Sequence, residues 1–184
     1  MRSTCIRKIA LCVAFISIIG GRAIQAQTQD KYSLKVQGGL AFAEFKGYEN
    51  WQLISVSHNG ETLAAILGNE AMIAAYKAGF PGNGKPIPDG ARMAKVHYNI
   101  KKHETFPTAL IPASQHDVDF MVKDSKRFAD SGGWGYAVFE FENGKFRPGN
   151  LKDSPPQAND AKCGFACHTV VKNRDYVFTE YQPR

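Results

Sequence analysis

Alternation of apolar and polar positions predicts β-strands in the central part of the chain. In residues 94–101 the even-numbered positions are apolar, and the odd-numbered positions are Lys, His, Asn and Lys. In residues 117–123 the even-numbered positions are again apolar, and the odd-numbered ones include Asp117 and Asp119. Because successive side chains of a strand point to opposite faces, each segment would have one core-facing side and one polar side. Both segments are therefore predicted to be strands.

Two further regions are predicted to contain strands. Residues 51–58 are rich in strand formers and are followed by Asn59-Gly60, a dipeptide typical of hairpin turns, so residues 61–67 would form the returning strand. Residues 134–141 follow a turn at Ser131-Gly132-Gly133 and are apolar at both odd and even positions. A strand of that kind is usually covered on both faces, so we expect protein on both sides of it.

The helices are predicted to be short. Residues 40–45 are expected to form a brief helix, and Asn69 is expected to cap a second helix that ends at Gly79. The loop that follows, residues 79–90, contains three prolines and four glycines. That content is too high for the interior of a regular element.

The remaining segments are interpreted as connections. Residues 103–114 are irregular, residues 144–157 contain proline and glycine, and residues 175–181 are expected to be a last strand or an extended segment. The predicted fold class is α+β, a predominantly antiparallel β-sheet with short helices. A C-terminal helix, capped by Asn159 or Asp160, would carry the cysteine motif described below.

The first 26 residues have the pattern of a secretory signal peptide. Basic residues precede an apolar run at residues 9–19, and small and polar residues follow up to Ala26. Cleavage there would leave residues 27–184 as one domain and lower the net charge from +6 to +2. No basic patch favours nucleic acid or an anionic membrane. We expect an exported protein that is free of the membrane once the leader is removed.

The candidate chemistry lies near the C-terminus, where Cys163 and Cys167 precede His168 in a C-x-x-x-C-H pattern. The usual attachment motif for c-type haem is C-x-x-C-H, one residue shorter. On a helix, residues three and four positions apart share a face, so both spacings keep the two thiols on one side. The pattern favours covalent haem c, with His168 as the proximal iron ligand. Attachment through Cys167 alone is the alternative to attachment through both thiols.

A disulfide and a zinc site compete with the haem interpretation. After cleavage of the leader, Cys163 and Cys167 are the only cysteines, and disulfides are common in exported proteins. Two helical cysteines at this spacing have awkward geometry for a bridge, and His168 would have no role in it. A structural zinc site needs four ligands, and no other histidine lies at ligand spacing from the pair. Haem therefore ranks first, the disulfide second and zinc third.

Several stretches together resemble the cytochrome P-460 family, which includes the β-sheet cytochromes c-prime. They occur in family order over nearly the whole chain after the leader: residues 48–51 (YENW), 66–69 (ILGN), 88–91 (PDGA), 94–96 (AKV), 122–128 (VKDSKRF), 132–139 (GGWGYAVF), 167–168 (CH) and 175–179 (DYVFT). Each stretch is weak alone, and jointly they are specific. The resemblance implies a periplasmic mono-haem protein on an antiparallel β fold, often a homodimer.

The resemblance also implies roles for two residues of the predicted strands. Family members that oxidise hydroxylamine carry a lysine cross-linked to the haem macrocycle, and the matching residue is Lys95. They also use a distal carboxylate, and the matching residue is Asp119, where those members have a longer Glu. Alternation puts Lys95 and Asp119 on the polar sides of their strands, so they are expected to share one sheet face. Taken without the resemblance, each would be interpreted as a solvated surface residue.

Four functions remain open from the sequence. The first is oxidation of hydroxylamine or a related small nitrogen species, with Asp119 accepting protons and a periplasmic protein accepting electrons. The second is nitric oxide binding by a five-coordinate haem without turnover, as in the c-prime members. The third is a small electron carrier. The fourth is a family fold that has lost covalent haem, with Cys163 and Cys167 free or bridged.

Overall fold

The structure is a computed structural model that describes residues 29–36, 40–149 and 164–182. The predicted leader, Cys163 and the expected caps Asn159 and Asp160 lie outside the described residues. Among the described residues, no helix has the length and apolar character needed to cross a membrane.

Six strands form one antiparallel sheet in which each strand pairs with the next along the chain. The strands are β1 (Gln52–Asn59), β2 (Thr62–Gly68), β3 (Arg92–Lys102), β4 (Leu110–Lys123), β5 (Trp134–Glu142) and β6 (Lys145–Pro148). The helices are short: α1 (Glu70–Lys77), α2 (Phe165–His168) and the 3₁₀ helices Lys31–Ser33, Phe42–Phe45, Tyr48–Asn50, Ala129–Ser131 and Thr169–Arg174. The predicted α+β class with a predominantly antiparallel sheet is confirmed.

The register of the sheet follows from the alternation in the sequence. The β1–β2 hairpin pairs Asn59 with Thr62 around Gly60, whose φ of 58° suits the predicted turn. In the β3–β4 pair, Ala94 lies opposite Phe120 and Val96 lies opposite Val118. The apolar positions of both strands therefore lie on one face, and the polar positions lie together on the other.

The apolar face of β3 and β4 is covered by the N-terminal 3₁₀ helices. Phe42 packs against Phe120 and Phe139 with ring centroids 5.2 and 4.8 Å apart, and Phe45 stacks on Phe120 at 4.0 Å. Each such aromatic pair contributes about 0.5–1.5 kcal/mol beyond the area it buries. The helix expected in residues 40–45 is thus present, as a 3₁₀ turn that delivers two phenylalanines to the core.

The opposite face is covered by α1 at one end and by the C-terminal segment. Asn69 caps α1 as predicted, because its side chain accepts a hydrogen bond from the Met72 N–H at 3.1 Å. The Tyr76 hydroxyl of α1 donates to the carbonyl of Thr179 at 2.8 Å, which joins the helix to the C-terminal segment. Trp134 of β5 is fully buried beneath these elements. The cover is incomplete along the sheet, and the gap is the cavity described next.

Two predicted connections are wrong in part. Residues 110–114 belong to β4, where Leu110 pairs with Lys102 and Pro112 with Ile100. The side chains at this end of the hairpin are largely exposed. Because neither face is buried there, apolar and polar residues need not alternate, and the sequence does not reveal the strand. Within residues 144–157, β6 forms a four-residue edge strand in which only Phe146 is buried. For the C-terminal residues the sequence predicts either a last strand or an extended segment. The structure has the extended segment, because residues 177–182 have no strand partner among the described residues.

Candidate haem site

A cavity of about 490 Å³ lies between the sheet and the C-terminal segment. Its volume falls within the range of about 300–1,000 Å³ typical of cofactor and ligand pockets. Most of the residues that line it are apolar, and its few ionisable residues include Lys95, Asp119 and His168. The first two come from the sheet and the third comes from α2, so the cavity has a sheet wall and a C-terminal wall.

On the sheet wall, Lys95 of β3 and Asp119 of β4 are direct cross-strand partners. Directly opposed residues of an antiparallel pair have their Cβ atoms about 4.5–5.5 Å apart. The predicted sharing of one sheet face is therefore confirmed. Both residues line the cavity and are partly buried, so neither lies on a fully exposed surface.

Burial raises the pKa of Asp119 to about 6, and the negative charge of Asp117 adds to the effect. The positive charges of His97 and Lys95 act in the opposite direction but do not outweigh these two causes. The carboxyl side chain is 39% exposed, and Asp119 lines the cavity. A carboxyl group with a pKa near 6 can both accept and release a proton near neutral pH.

Asp117 and His97 form the next cross-strand pair along the same face. The Nδ1 of His97 makes a short contact with one carboxylate oxygen of Asp117, and it lies 3.9 Å from Asp119 Oδ2. The other Asp117 oxygen contacts His116 Nδ1 at 2.7 Å. Burial acts to raise the pKa of Asp117, but the bonds and charges of the two histidines outweigh it and lower the pKa. The carboxylate of Asp117 is thus kept charged beside Asp119.

A β-bulge places His116 in this cluster. Tyr98 pairs with Gln115 while the preceding His97 pairs with Asp117, so His116 is an extra residue in β4. Bulges turn side chains from the regular alternation and are frequent beside active sites. His97, Asp117 and Asp119 also bring one potential ligand atom each within 4.8 Å of one another. The sequence gives no signal for the bulge, because the alternation that predicts β4 begins only at Asp117.

On the C-terminal wall, His168 is the last residue of α2 and lines the cavity. Its Nδ1 lies 2.6 Å from the carbonyl oxygen of Tyr176, so Nδ1 carries the proton and donates it to that carbonyl. Nε2 is then the unprotonated nitrogen of the neutral ring. Burial lowers the pKa of His168, and the nearby charge of Lys95 lowers it further, although the bond to Tyr176 opposes them. The imidazole is therefore held neutral, as a metal ligand must be.

The start of α2 is packed closely against the sheet. A Cβ added to Gly164 would lie 2.4 Å from Cδ1 of Tyr136 on β5. The ring of Tyr136 also lies 5.1 Å from the His168 ring, and Phe178 flanks that ring at 4.9 Å. Cys167 is an exposed free cysteine in the same helix. Glycine at position 164 thus lets α2 approach the sheet with His168 at its end.

A family model for cytochrome P460 matches residues 24–179 of the chain. That range covers the sheet, both helices and all of the cavity lining except Glu180. The chain belongs to the cytochrome P460 family. It is therefore a haem protein of the cytochrome P460 type. No protein of curated function matches the chain.

The residues around the cavity fit the haem that cytochrome P460 membership implies. The donor set has the right chemistry, because His168 is neutral and its Nδ1–H is already bound by the Tyr176 carbonyl. A ligating histidine usually donates its second ring nitrogen to such an acceptor. The volume and largely apolar lining of the cavity suit a planar macrocycle.

Of the five residues predicted from the sequence, the structure brings Lys95, Asp119 and His168 to one cavity. Cys167 lies beside His168 on α2, and Cys163 lies outside the described residues. Sequence reasoning missed Asp117 as the charge beside Asp119 and Tyr176 as the acceptor for His168. The alternation does place Asp117 on the same face as Asp119, so that signal was available. No pattern in the sequence pairs His168 with Tyr176.

Proposed function

We propose that the chain is an exported, periplasmic, mono-haem c-type protein that oxidises hydroxylamine or a related small nitrogen species. The observation that carries the proposal is the pairing of Lys95 with Asp119 across β3 and β4 in the cavity that His168 also lines. The lysine, the carboxyl group of raised pKa and the neutral imidazole match the roles predicted from the sequence for Lys95, Asp119 and His168. Residues 27–184 would form the haem domain after cleavage of the leader.

Cys167 and His168 would hold the haem from the C-terminal wall. Their adjacency in α2 lets a thioether to the macrocycle and a bond from Nε2 to the iron form from neighbouring positions. Cys163 would supply the second thioether. A bound haem would supply the electron acceptor for the substrate, and a periplasmic protein would be the next acceptor.

Asp119 would act as the general base on the opposite wall. Each electron pair that leaves hydroxylamine is accompanied by protons from nitrogen or oxygen, and a carboxylate in the cavity can accept them. Its pKa of about 6 means that the carboxylate predominates at neutral pH while remaining a stronger base than an exposed Asp. Asp117 supports that basicity through its negative charge.

Lys95 would be bonded to the macrocycle. Within the described part of the chain its Nζ has no hydrogen-bond or salt-bridge partner, so the amine is available for reaction. Its present charge lowers the pKa of Asp119. A cross-link that removed the charge would raise this pKa and make Asp119 a better base. The cross-link would therefore alter the proton acceptor as well as the haem.

The test uses the full chain, exported in a host that matures c-type cytochromes. We expect an intact mass equal to residues 27–184 plus one haem, and a peptide map in which Cys167 and Lys95 are both recovered attached to haem. Hydroxylamine oxidation is then measured for the wild type and for Lys95→Met, with Lys101→Met, an exposed lysine of the same strand, as the control. We expect activity to be lost only in Lys95→Met.

Three results would contradict the proposal in different ways. A mass equal to the bare chain would exclude covalent haem. Unmodified Lys95 with no hydroxylamine turnover, but with nitric oxide binding to the ferrous haem, would favour the c-prime function. A six-coordinate spectrum in both redox states would favour electron transfer.

A further inference from the structure

The carbonyl that orients His168 belongs to a turn with an unfavourable backbone. Asp175 and Tyr176 have φ values of 46° and 63°. The left-handed region is costly for residues other than glycine, less so for Asp and Asn than for a bulky residue such as Tyr. Two consecutive residues persist there only when the surrounding structure holds them. The contacts that hold this turn therefore decide where the acceptor for His168 lies.

Asp175 is held by three separate parts of the fold. Its carboxylate accepts hydrogen bonds from Lys123 Nζ at 2.6 Å and from the Ile87 N–H at 2.8 Å. Its backbone carbonyl accepts from Trp134 Nε1 at 2.8 Å. These donors lie at the end of β4, in the loop after α1 and at the start of β5. The turn is thus fixed to the sheet immediately before Tyr176.

Lys123 is buried where it bonds to Asp175, and it does not line the cavity. The residue is only 6% exposed, which is rare for a lysine without a charged partner. Besides Asp175, its Nζ donates to the carbonyl of Gly132 at 3.1 Å and lies 5.1 Å from the centre of the Trp134 ring. Breaking one side of such a buried pair leaves an uncompensated charge. The pair is therefore a strong constraint on the turn.

The side chain of Tyr176 is fixed at the same place. A Cβ added to Gly132 would lie 2.2 Å from Cε2 of Tyr176. The tyrosine ring therefore packs directly on the backbone whose carbonyl receives Lys123 Nζ. The ring of Tyr176 and the backbone before it are both anchored at the β4–β5 connection, so its carbonyl has little freedom relative to His168.

We propose that Lys123 and Asp175 are positioning residues for the iron ligand: their ion pair fixes the Tyr176 carbonyl against Nδ1 of His168. This inference rests on the proposed role of His168. A strong bond from Nδ1–H to a carbonyl makes the imidazole a better electron donor. Loosening the pair lengthens that bond, weakens the donor and favours the reduced iron, so the reduction potential rises.

The experiment compares holoprotein variants of this pair with variants of a second ion pair. Lys123→Met and Asp175→Asn break the pair, and Lys123→Arg keeps its charge. Arg127→Met and Glu44→Gln are the controls. Arg127 Nη1 lies 2.7 Å from Oε2 of Glu44, in the 3₁₀ helix Phe42–Phe45, and neither residue lines the cavity. The reduction potential, the iron–histidine stretching frequency of the ferrous protein and the melting temperature are measured for each. His168→Ala identifies the stretching band.

We expect both disrupting variants to raise the potential and lower the stretching frequency, Lys123→Arg to lie nearer the wild type, and the controls to change neither signal. Asp175→Asn keeps an acceptor oxygen for the Ile87 N–H, so it decides the matter alone if Lys123→Met does not fold. If the disrupting variants keep the wild-type reduction potential and stretching frequency and show only a lower melting temperature, the positioning role is overturned. The proposed ligand role of His168 would not be affected by that result. If the spectrum of the wild-type protein has no iron–histidine stretching band that disappears in His168→Ala, the proposed ligand role of His168 is overturned as well.

Discussion

The two walls of the cavity are built in different ways. The sheet wall is a product of local register: Lys95 and Asp119 face each other because β3 and β4 form a hairpin with alternating sequences. The C-terminal wall depends on distant contacts, since His168 is oriented by Tyr176 and the turn that contains Tyr176 is held by Lys123. One wall is held by backbone hydrogen bonds between adjacent strands, and the other is joined to the sheet mainly by hydrogen bonds that involve a few side chains.

This difference predicts different consequences of substitution. A side chain can be changed on the sheet wall without moving its neighbours, because the backbone ladder holds the strand. A change on the C-terminal wall can move α2 or the turn after it. We therefore expect sheet-wall variants to alter reactivity with an intact haem environment, and C-terminal variants to alter the haem environment itself.

The largest effect is expected for His168→Ala. Loss of the imidazole removes the iron ligand from the C-terminal wall, and the proposed hydroxylamine oxidation should fall by more than about 100-fold, since loss of mere outer partners already costs about 10–100-fold. The absorption spectrum should change at the same time. Added imidazole should restore part of the spectrum by occupying the space left beside Tyr176. His58→Ala, an exposed histidine near the end of β1 that does not line the cavity, is the control. An unchanged spectrum in His168→Ala would exclude this ligand.

Asp119→Asn should have the next largest effect and leave the spectrum close to that of the wild type. A general base typically contributes about 10²–10⁴-fold, so we expect turnover of hydroxylamine to fall by about 100-fold or more. The neutral amide, which has the same length as the carboxylate, cannot accept the proton, and the proposed haem contacts on the opposite wall are unchanged. Asp119→Glu tests whether a longer carboxylate side chain reaches the substrate, and this variant should retain or increase turnover. Equal loss in the Asn and Glu variants would argue for a structural role of Asp119.

The sequence predicts the sheet wall better than the C-terminal wall for the same physical reason. Alternation and hairpin connectivity are enough to bring Lys95 and Asp119 to one face. By contrast, a lysine at the end of a strand is expected in solvent, and only the fold shows that Lys123 is buried against Asp175. A left-handed turn at two residues that are not glycine has no sequence signature. The motif predicts His168 as an iron ligand but does not predict which group orients its ring.

The same limit applies to the fold. Strands with one buried face were predicted because burial imposes alternation, as in the second half of β4. The first half of β4 and the edge strand β6 were missed, because their exposed side chains are under no such constraint. Pairing with a neighbouring strand defines them instead, and a pattern within one segment does not reveal its partner.

A smaller effect on stability is expected for Gly164→Ala. The added methyl group would lie 2.4 Å from Cδ1 of Tyr136, so α2 or the ring must move. Overpacking of this kind costs about 1–3 kcal/mol, measured as a lower free energy of unfolding. Because α2 ends at His168, the haem spectrum should shift too. Gly82→Ala is the control, since its Cβ would meet only an atom at 3.5 Å. Equal behaviour of both variants would show that α2 is not tightly packed.

The smallest effect is expected for Asp117→Asn, which changes only the charge beside Asp119. Burial is the main reason that the pKa of Asp119 is about 6, and Asp117 is the next cause. Removing that charge should lower the pKa of Asp119 by about one unit or less. Asp117 also contacts His97, whose charge lowers the pKa of Asp119, but the charge of Asp117 is the larger of these two influences on that pKa.

The sign of this effect can be read from the acid side of the pH profile. Asp119 is active as the carboxylate, so turnover falls as the pH drops through its pKa, and in Asp117→Asn this fall should move to lower pH. Stability should change in the matching sense: a raised carboxyl pKa makes the fold less stable as pH rises toward 6, and the variant should lose part of that dependence. Glu61→Gln, an exposed carboxylate at the β1–β2 turn, should shift neither curve. A shift to higher pH in Asp117→Asn would mean that Asp117 acts on Asp119 chiefly through His97, and the sheet wall would then depend on a side-chain network as the C-terminal wall does.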